Sequence, residues 1–100
     1  MSYKVIFHKS AKKELDNFDA SIKLIILKQI KKIKENPYLG KELGNKGGFD
    51  LTGYRKIYAY KKQIRIIYKI IEEEIQVYII SIGKREKMEV YKKASERNKE

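Results

Sequence analysis

The 100-residue chain has no cysteine, a single histidine, a single proline and far fewer acids than bases. Without thiols there is no disulfide, no thiolate metal site and no cysteine nucleophile. The one histidine, His8, closes the first predicted strand and makes no metal-like spacing with a second ligand, so it reads as structural or simply exposed. The carboxylates are scattered or gathered in Glu72-Glu73-Glu74 and the tail. They offer no paired acid/base set, and no Ser-His-Asp arrangement is present. No apolar run approaches the roughly 20 residues that span a bilayer, and the N-terminus opens a strand rather than a signal peptide. A soluble, cytoplasmic protein with no membrane contact, no metal and no cofactor is expected.

What is abundant is positive charge. Lys+Arg number 24 against 13 Asp+Glu, a formal net charge of +11. In so small a chain this favours polyanions through steering and counterion release. A merely solvated, lysine-rich surface and an acidic protein partner are the competing explanations. The length suits one domain over 1–100, and a hydrophobic share of 42% is normal for a packed core.

Taken in order, Tyr3 to Phe7 alternates as a first strand. Ser10 is a candidate N-cap for a short helix to about Asn17, and Asp19 for a second to about Glu35. In the second helix Ile22, Ile25, Ile26, Ile30 and Ile33 form one stripe, with the lysines mostly outside it. Asn36-Pro37 ends it, because proline removes a donor and restricts the residue before it. Tyr38 to Phe49 reads as a loop. Its glycines lack the strand and Lys-Ser/Thr context of a phosphate cradle.

Three strands follow, over Thr52 to Tyr60, Ile64 to Ile71 and Ile75 to Ile82, joined by the tight turns Lys61-Lys62-Gln63 and Glu72-Glu73-Glu74. The first places Arg55, Ile57 and Ala59 on one face and Tyr54, Lys56, Tyr58 and Tyr60 on the other. The second face is aromatic and basic, suited to stacking bases and tracking phosphates, although cross-strand tyrosines also simply fill sheets. A last helix runs from Glu86 to about Arg97, before a polar tail over 98–100. The predicted fold is α+β, in the order β-α-α-β-β-β-α, with helices on one side of a mostly antiparallel sheet.

The stretch Ser81-Ile82-Gly83-Lys84-Arg85-Glu86 with Glu89-Val90-Tyr91 ends a buried strand on a glycine and then presents cations and a phenol. It resembles the C-terminal signature of the RelE branch of the RelE/ParE toxins of type II toxin–antitoxin modules. The resemblance extends through Tyr54-Arg55-Lys56-Ile57-Tyr58, Ile64-Arg65-Ile66-Ile67-Tyr68 and Tyr3-Lys4-Val5-Ile6-Phe7, nearly the whole chain. It implies the family's α+β fold, with a helical hairpin packed on the sheet, and a metal-independent mRNA interferase acting on the ribosome. The 2′-hydroxyl of the RNA would attack the adjacent phosphate, leaving a 2′,3′-cyclic phosphate and a 5′-hydroxyl. Cations and phenols suffice for that reaction, because charge stabilisation is its main demand.

Position by position, the resemblance gives Arg85 the scissile phosphate and the leaving group, Tyr91 the orientation of the nucleotide, and Arg65 the transition-state charge. Lys56 matches the first of two alternate lysines that handle the proton. The second falls at Tyr58, a departure that leaves Lys56 as the base alone or with help from the phenol. Crowding by like charge would move such a lysine toward usefulness as a base. Arg55 is the competitor to Lys56, since a one-residue slip swaps their faces. Arg55, Tyr58 and Lys84 are candidate RNA contacts, with Lys84 read mainly as a solvated charge. An ion pair for Arg65 with a glutamate, and plain helix-to-sheet packing for Tyr91, are the structural alternatives.

The implied partners are mRNA, the ribosome with its RNA, and a cognate antitoxin, in a heterotetramer by analogy. Two other functions compete: a ParE-like, non-enzymatic inhibitor of DNA gyrase, and a plain nucleic-acid-binding module. Fold alone does not separate them.

Overall fold

The β-branched runs of the C-terminal half form the centre of the sheet. The computed structural model describes residues 2–46, 48–84 and 89–97. Strand β1 (Lys4–Phe7) precedes helices α1 (Lys9–Asp16) and α2 (Ala20–Glu35) and a 3-10 turn at Pro37–Leu39. Short strands β2 (Lys41–Glu42), β3 (Asn45–Lys46) and β4 (Phe49–Asp50) lead to β5 (Tyr54–Ala59), β6 (Ile64–Ile71) and β7 (Gln76–Lys84). Helix α3 (Glu89–Arg97) ends the described chain. The five-stranded sheet has the order β1-β7-β6-β5-β2, with β1 parallel to β7 and every other pair antiparallel.

Each face of the sheet carries its own core. On one, Ala11 and Leu15 of α1 and Ile26, Ile30 and Ile33 of α2 pack on Ala59, Ile64, Ile66, Tyr68, Val77, Ile79 and Ile82. On the other, Tyr91 and Ala94 of α3 cover Tyr54, Ile67 and Ile80, joined by Leu43 and Leu51. The expectation of helices on one side is therefore corrected: α3 lies opposite the α1–α2 hairpin. Both faces of β7 are apolar, and a β-bulge interrupts their alternation. Val77 and Ile79 face the hairpin, so alternation sends Tyr78 and Ile80 into the α3 core; Ile67 pairs with Ser81 but Tyr68 with Ile79, and the extra residue returns Ile82 to the hairpin core.

Several local expectations change for physical reasons. The N-cap of α1 is His8 rather than Ser10: its Nδ1 accepts the Ser10 backbone N–H at 3.1 Å. His8 is buried and structural. Asp19 does cap α2, accepting from the Ile22 N–H at 3.0 Å. The Tyr38 to Phe49 loop contains β2, which extends the sheet along β5, and a separate β3–β4 ribbon. Tyr60 leaves the face of Tyr54, Lys56 and Tyr58, because Tyr60, Lys61 and Lys62 form a turn with φ of 51°, 54° and 65°. Three consecutive left-handed residues with no glycine make a costly connection. Tyr60 packs against the hairpin core instead. Ile75, at φ 52°, closes the next turn outside β7.

Beyond Ile79, β7 has no strand on its outer side, since β1 pairs only with Gln76 to Ile79. Side chains from both layers take its place. The Glu14 carboxylate of α1 accepts the Ile82 N–H at 3.1 Å, and Arg97 of α3 donates to the Ile80 carbonyl at 2.8 Å. Arg97 also grips both Glu14 oxygens, at 2.9 and 3.0 Å.

Candidate active site

Alternation along β5 and β6 brings three of the predicted residues, Lys56, Tyr58 and Arg65, onto the face covered by α3, which carries a fourth, Tyr91. Tyr58 stands directly opposite Arg65, and Lys56 opposite Ile67. Lys56 Nζ donates to the Tyr58 hydroxyl at 2.9 Å. Arg65 hydrogen-bonds the same phenol from the neighbouring strand. Its guanidinium lies 4.2 Å from the Tyr91 ring centroid and 5.7 Å from that of Tyr58. Such stacking fixes a planar cation and leaves its edge for hydrogen bonding.

Arg65 is only 7% exposed, yet its Nε and Nη1 have no hydrogen-bond partner among the described residues. Its contacts there are the two tyrosines, not the glutamate partner considered from sequence. A buried guanidinium with idle N–H donors is costly, and an oxyanion would satisfy it. Gly83 faces Arg65 across the β6–β7 pair and adds no side chain over it.

The same cations act on Tyr58. The Lys56 hydrogen bond is the largest influence on its phenol; burial opposes it, and the Arg65 bond and both charges reinforce it. Together they hold the pKa at about 8 instead of 10. Tyr54 moves the other way, pushed up to about 12 by burial and then by Tyr78. Tyr54 is a core residue, so the imagined three-tyrosine stacking surface reduces to Tyr58 beside Lys56.

The structure separates Arg55 and Lys84 from this group. Arg55 points to the opposite face, donates to the Gly40 carbonyl at 2.7 Å, pairs with Glu42 at 3.1 Å and lies over the Tyr38 ring. The strand register thus puts Lys56, not Arg55, beside Arg65. Lys84 pairs with Ile64 and lines a cleft of about 570 Å³ with Phe18, Ile22 and Tyr60, on the hairpin side. Arg85 lies outside the described residues. Gln29, which sequence reasoning passed over, donates from Nε2 to the Tyr58 carbonyl at 2.6 Å and pins the open edge of β5. Its signal was a polar residue at helical spacing from Ile25, Ile26, Ile30 and Ile33.

Comparison with known proteins gives the family. The family model described as "ParE toxin of type II toxin-antitoxin system, parDE" matches residues 5–89. The mRNA interferase toxin RelE of Escherichia coli strain K12 is 31% identical over 97% of this chain and 98% of its own. The chain belongs to the RelE/ParE toxin family. Among solved structures, a doubly substituted E. coli RelE in the free state superposes with a TM-score of 0.80 at 28% identity, covering 97% of this chain and 98% of that one. RelE from the intact E. coli RelBE toxin–antitoxin complex gives 0.71 at 25% identity, covering 86% of this RelE/ParE chain and 100% of that one.

Proposed function

We propose that this RelE/ParE toxin is a ribosome-dependent mRNA endonuclease that needs no metal ion. Arg65 carries the reading: two buried guanidinium nitrogens without partners among the described residues, beside a lysine-bonded phenol. A phosphate seated there would have its developing negative charge met by fixed donors that require no reorganisation. The 2′-oxygen bonds to phosphorus as its proton passes to the Lys56–Tyr58 pair. The bond from phosphorus to the 5′-oxygen breaks, giving a cyclic phosphate and a 5′-hydroxyl. Tyr91 holds Arg65 flat and orients the substrate nucleotide, and Arg85 supports departure of the 5′-oxygen. The wider charge of +11 docks the protein on ribosomal RNA in the cytoplasm. A cognate antitoxin, as RelB is to RelE in the RelBE complex, completes the module.

The test is a cell-free translation reaction on a defined mRNA with the new 5′ ends mapped. Cuts at one reading-frame position, absent without ribosomes and lost in Arg65→Ala and Arg85→Ala, are expected. Intact mRNA under active translation would refute the proposal. Because the matching family model is that of ParE, inhibition of DNA gyrase is the second reading, and a supercoiling assay tests it directly.

A further inference from the structure

We infer that the general base of this site is the Tyr58 phenolic oxygen, with Lys56 as the hydrogen-bonded cation beside it. The inference rests on the endonuclease reading and assigns the proton within it. Three observations carry it. Lys56 Nζ is engaged as a donor to the Tyr58 hydroxyl at 2.9 Å. A lysine acting as base must first lose a proton, whereas this geometry uses the ammonium to stabilise an oxyanion next to it. Second, Tyr58 and Arg65 are directly paired across β5 and β6, and Arg65 bonds the same phenol while its Nε and Nη1 remain unpartnered. A phosphate bridging those donors sets its own ribose 2′-hydroxyl beside the Tyr58 oxygen, within the reach a general base requires. Third, Tyr58 is held but not enclosed. Gln29 fixes its backbone at 2.6 Å from the α2 side, and the residue as a whole is only partly buried.

The ionisation of Tyr58 is consistent with that role. With a pKa of about 8, about a quarter of the molecules carry the phenolate at pH 7.5, on the order of a hundredfold more than for a free tyrosine. In the step itself the phenolate takes the 2′-hydroxyl proton as the new oxygen–phosphorus bond forms. The 5′-oxygen leaves with the electron pair of its bond to phosphorus and is protonated by water. Tyr58 then returns its proton to solvent. No oxidant or further reactant enters the balance.

Two measurements test the assignment. The first is a tyrosinate absorbance titration of the intact protein: one of its eight tyrosines should ionise near pH 8, and that step should vanish in Tyr58→Phe. The second is single-turnover cleavage on mRNA-programmed ribosomes from about pH 6 to 9. The wild-type rate should rise with pH and level off near pH 8; Tyr58→Phe should lose about 10²- to 10⁴-fold together with that limb. Replacement of Tyr58 by 3-fluorotyrosine, which keeps the shape and makes the phenol more acidic, should move the limb to lower pH. The inference is overturned if the pH 8 ionisation is missing, if Tyr58→Phe cuts with the same limb, or if fluorination leaves the limb in place. Failure of the wild-type protein to cut would instead bring down the endonuclease reading, and the base assignment with it.

Discussion

Removing Arg97 tests how the two layers of the fold are held together. Its guanidinium makes two charged hydrogen bonds to Glu14, at 2.9 and 3.0 Å, and one to the Ile80 carbonyl at 2.8 Å. The side chains of the pair are only 10% and 16% exposed. Breaking a fully buried ion pair costs about 3–5 kcal/mol, because one charge is left without its partner. Here Glu14 would keep the Ile82 N–H at 3.1 Å and Lys93 at 3.4 Å, which lowers the expectation for Arg97→Ala to about 2–3 kcal/mol. In a chain of this size that is a fall in Tm of about 10–20 °C, or about 1–2 M in the urea midpoint. The assay is urea unfolding followed by far-UV circular dichroism, run as a double-mutant cycle with Glu14→Gln. A coupling of about 1–2 kcal/mol is expected. Lys12 and Asp16, whose side chains are 53% and 45% exposed, supply the control, and breaking that pair should leave the urea midpoint nearly unchanged. Burial raises the Glu14 pKa, but the bonds from Arg97 and Ile82 and the nearby charges outweigh it, and the net shift is downward. The stabilisation is therefore complete above the unfolded value near 4.5 and is lost as pH falls through the lower folded value. Glu14→Gln should flatten stability in that acid window. If Arg97→Ala costs no more than the surface control, the clasp at the β7 edge does not hold the layers, and the reasoning fails.

The other predictions concern the face-specific roles of single residues. Tyr68→Phe strands the Gly40 N–H and the Pro37 carbonyl, which the hydroxyl now serves at 2.9 and 2.6 Å, and should cost about 1–3 kcal/mol in the same unfolding assay. Gly40→Ala should destabilise by a similar amount, because its Cβ would meet the Tyr68 hydroxyl and lie 2.8 Å from the Lys56 carbonyl. Tyr91→Phe keeps the ring stacked on Arg65 and should preserve the fold, while Tyr91→Ala opens the α3 core and should cost about 3–5 kcal/mol. Arg65→Ala should lower ribosomal cleavage by about 10²-fold or more, and Lys84→Ala, on the opposite face, should leave the chemical step within about threefold of wild type.

How far the sequence disclosed the fold depended on whether a feature was local. The α2 stripe Ile22 to Ile33, the Asp19 cap and the Pro37 stop are set by neighbours three or four residues apart, and the structure has them where the pattern put them. The side of the sheet taken by α3 was not legible. It depends on masking a core built from Tyr54, Ile67 and Ile80, which come from three different strands. Tyr60 was assigned to the wrong face for a related reason: period-two counting assumes extended backbone, and Tyr60 already has φ 51°. His8 capped the helix because its ring nitrogen reached Ser10, a use of histidine that cap statistics, with their preference for serine and aspartate, do not suggest.

For the candidate site, net charge said what kind of partner to expect but not where it would bind. Burial and pairing separate the cations that charge counting treats alike. Arg55 has its guanidinium committed to Gly40 and Glu42, and Arg97 to Glu14 and Ile80; neither is free to take a phosphate without loosening the fold. Arg65 is more deeply buried than either, yet two of its nitrogens have no partner among the described residues. Natural cores rarely leave such donors idle unless a ligand completes them. The departure at Tyr58 then has a direct chemical meaning. A second lysine beside Lys56 would add charge to an already cationic strand face, whereas a tyrosine turns that charge into a shared proton acceptor.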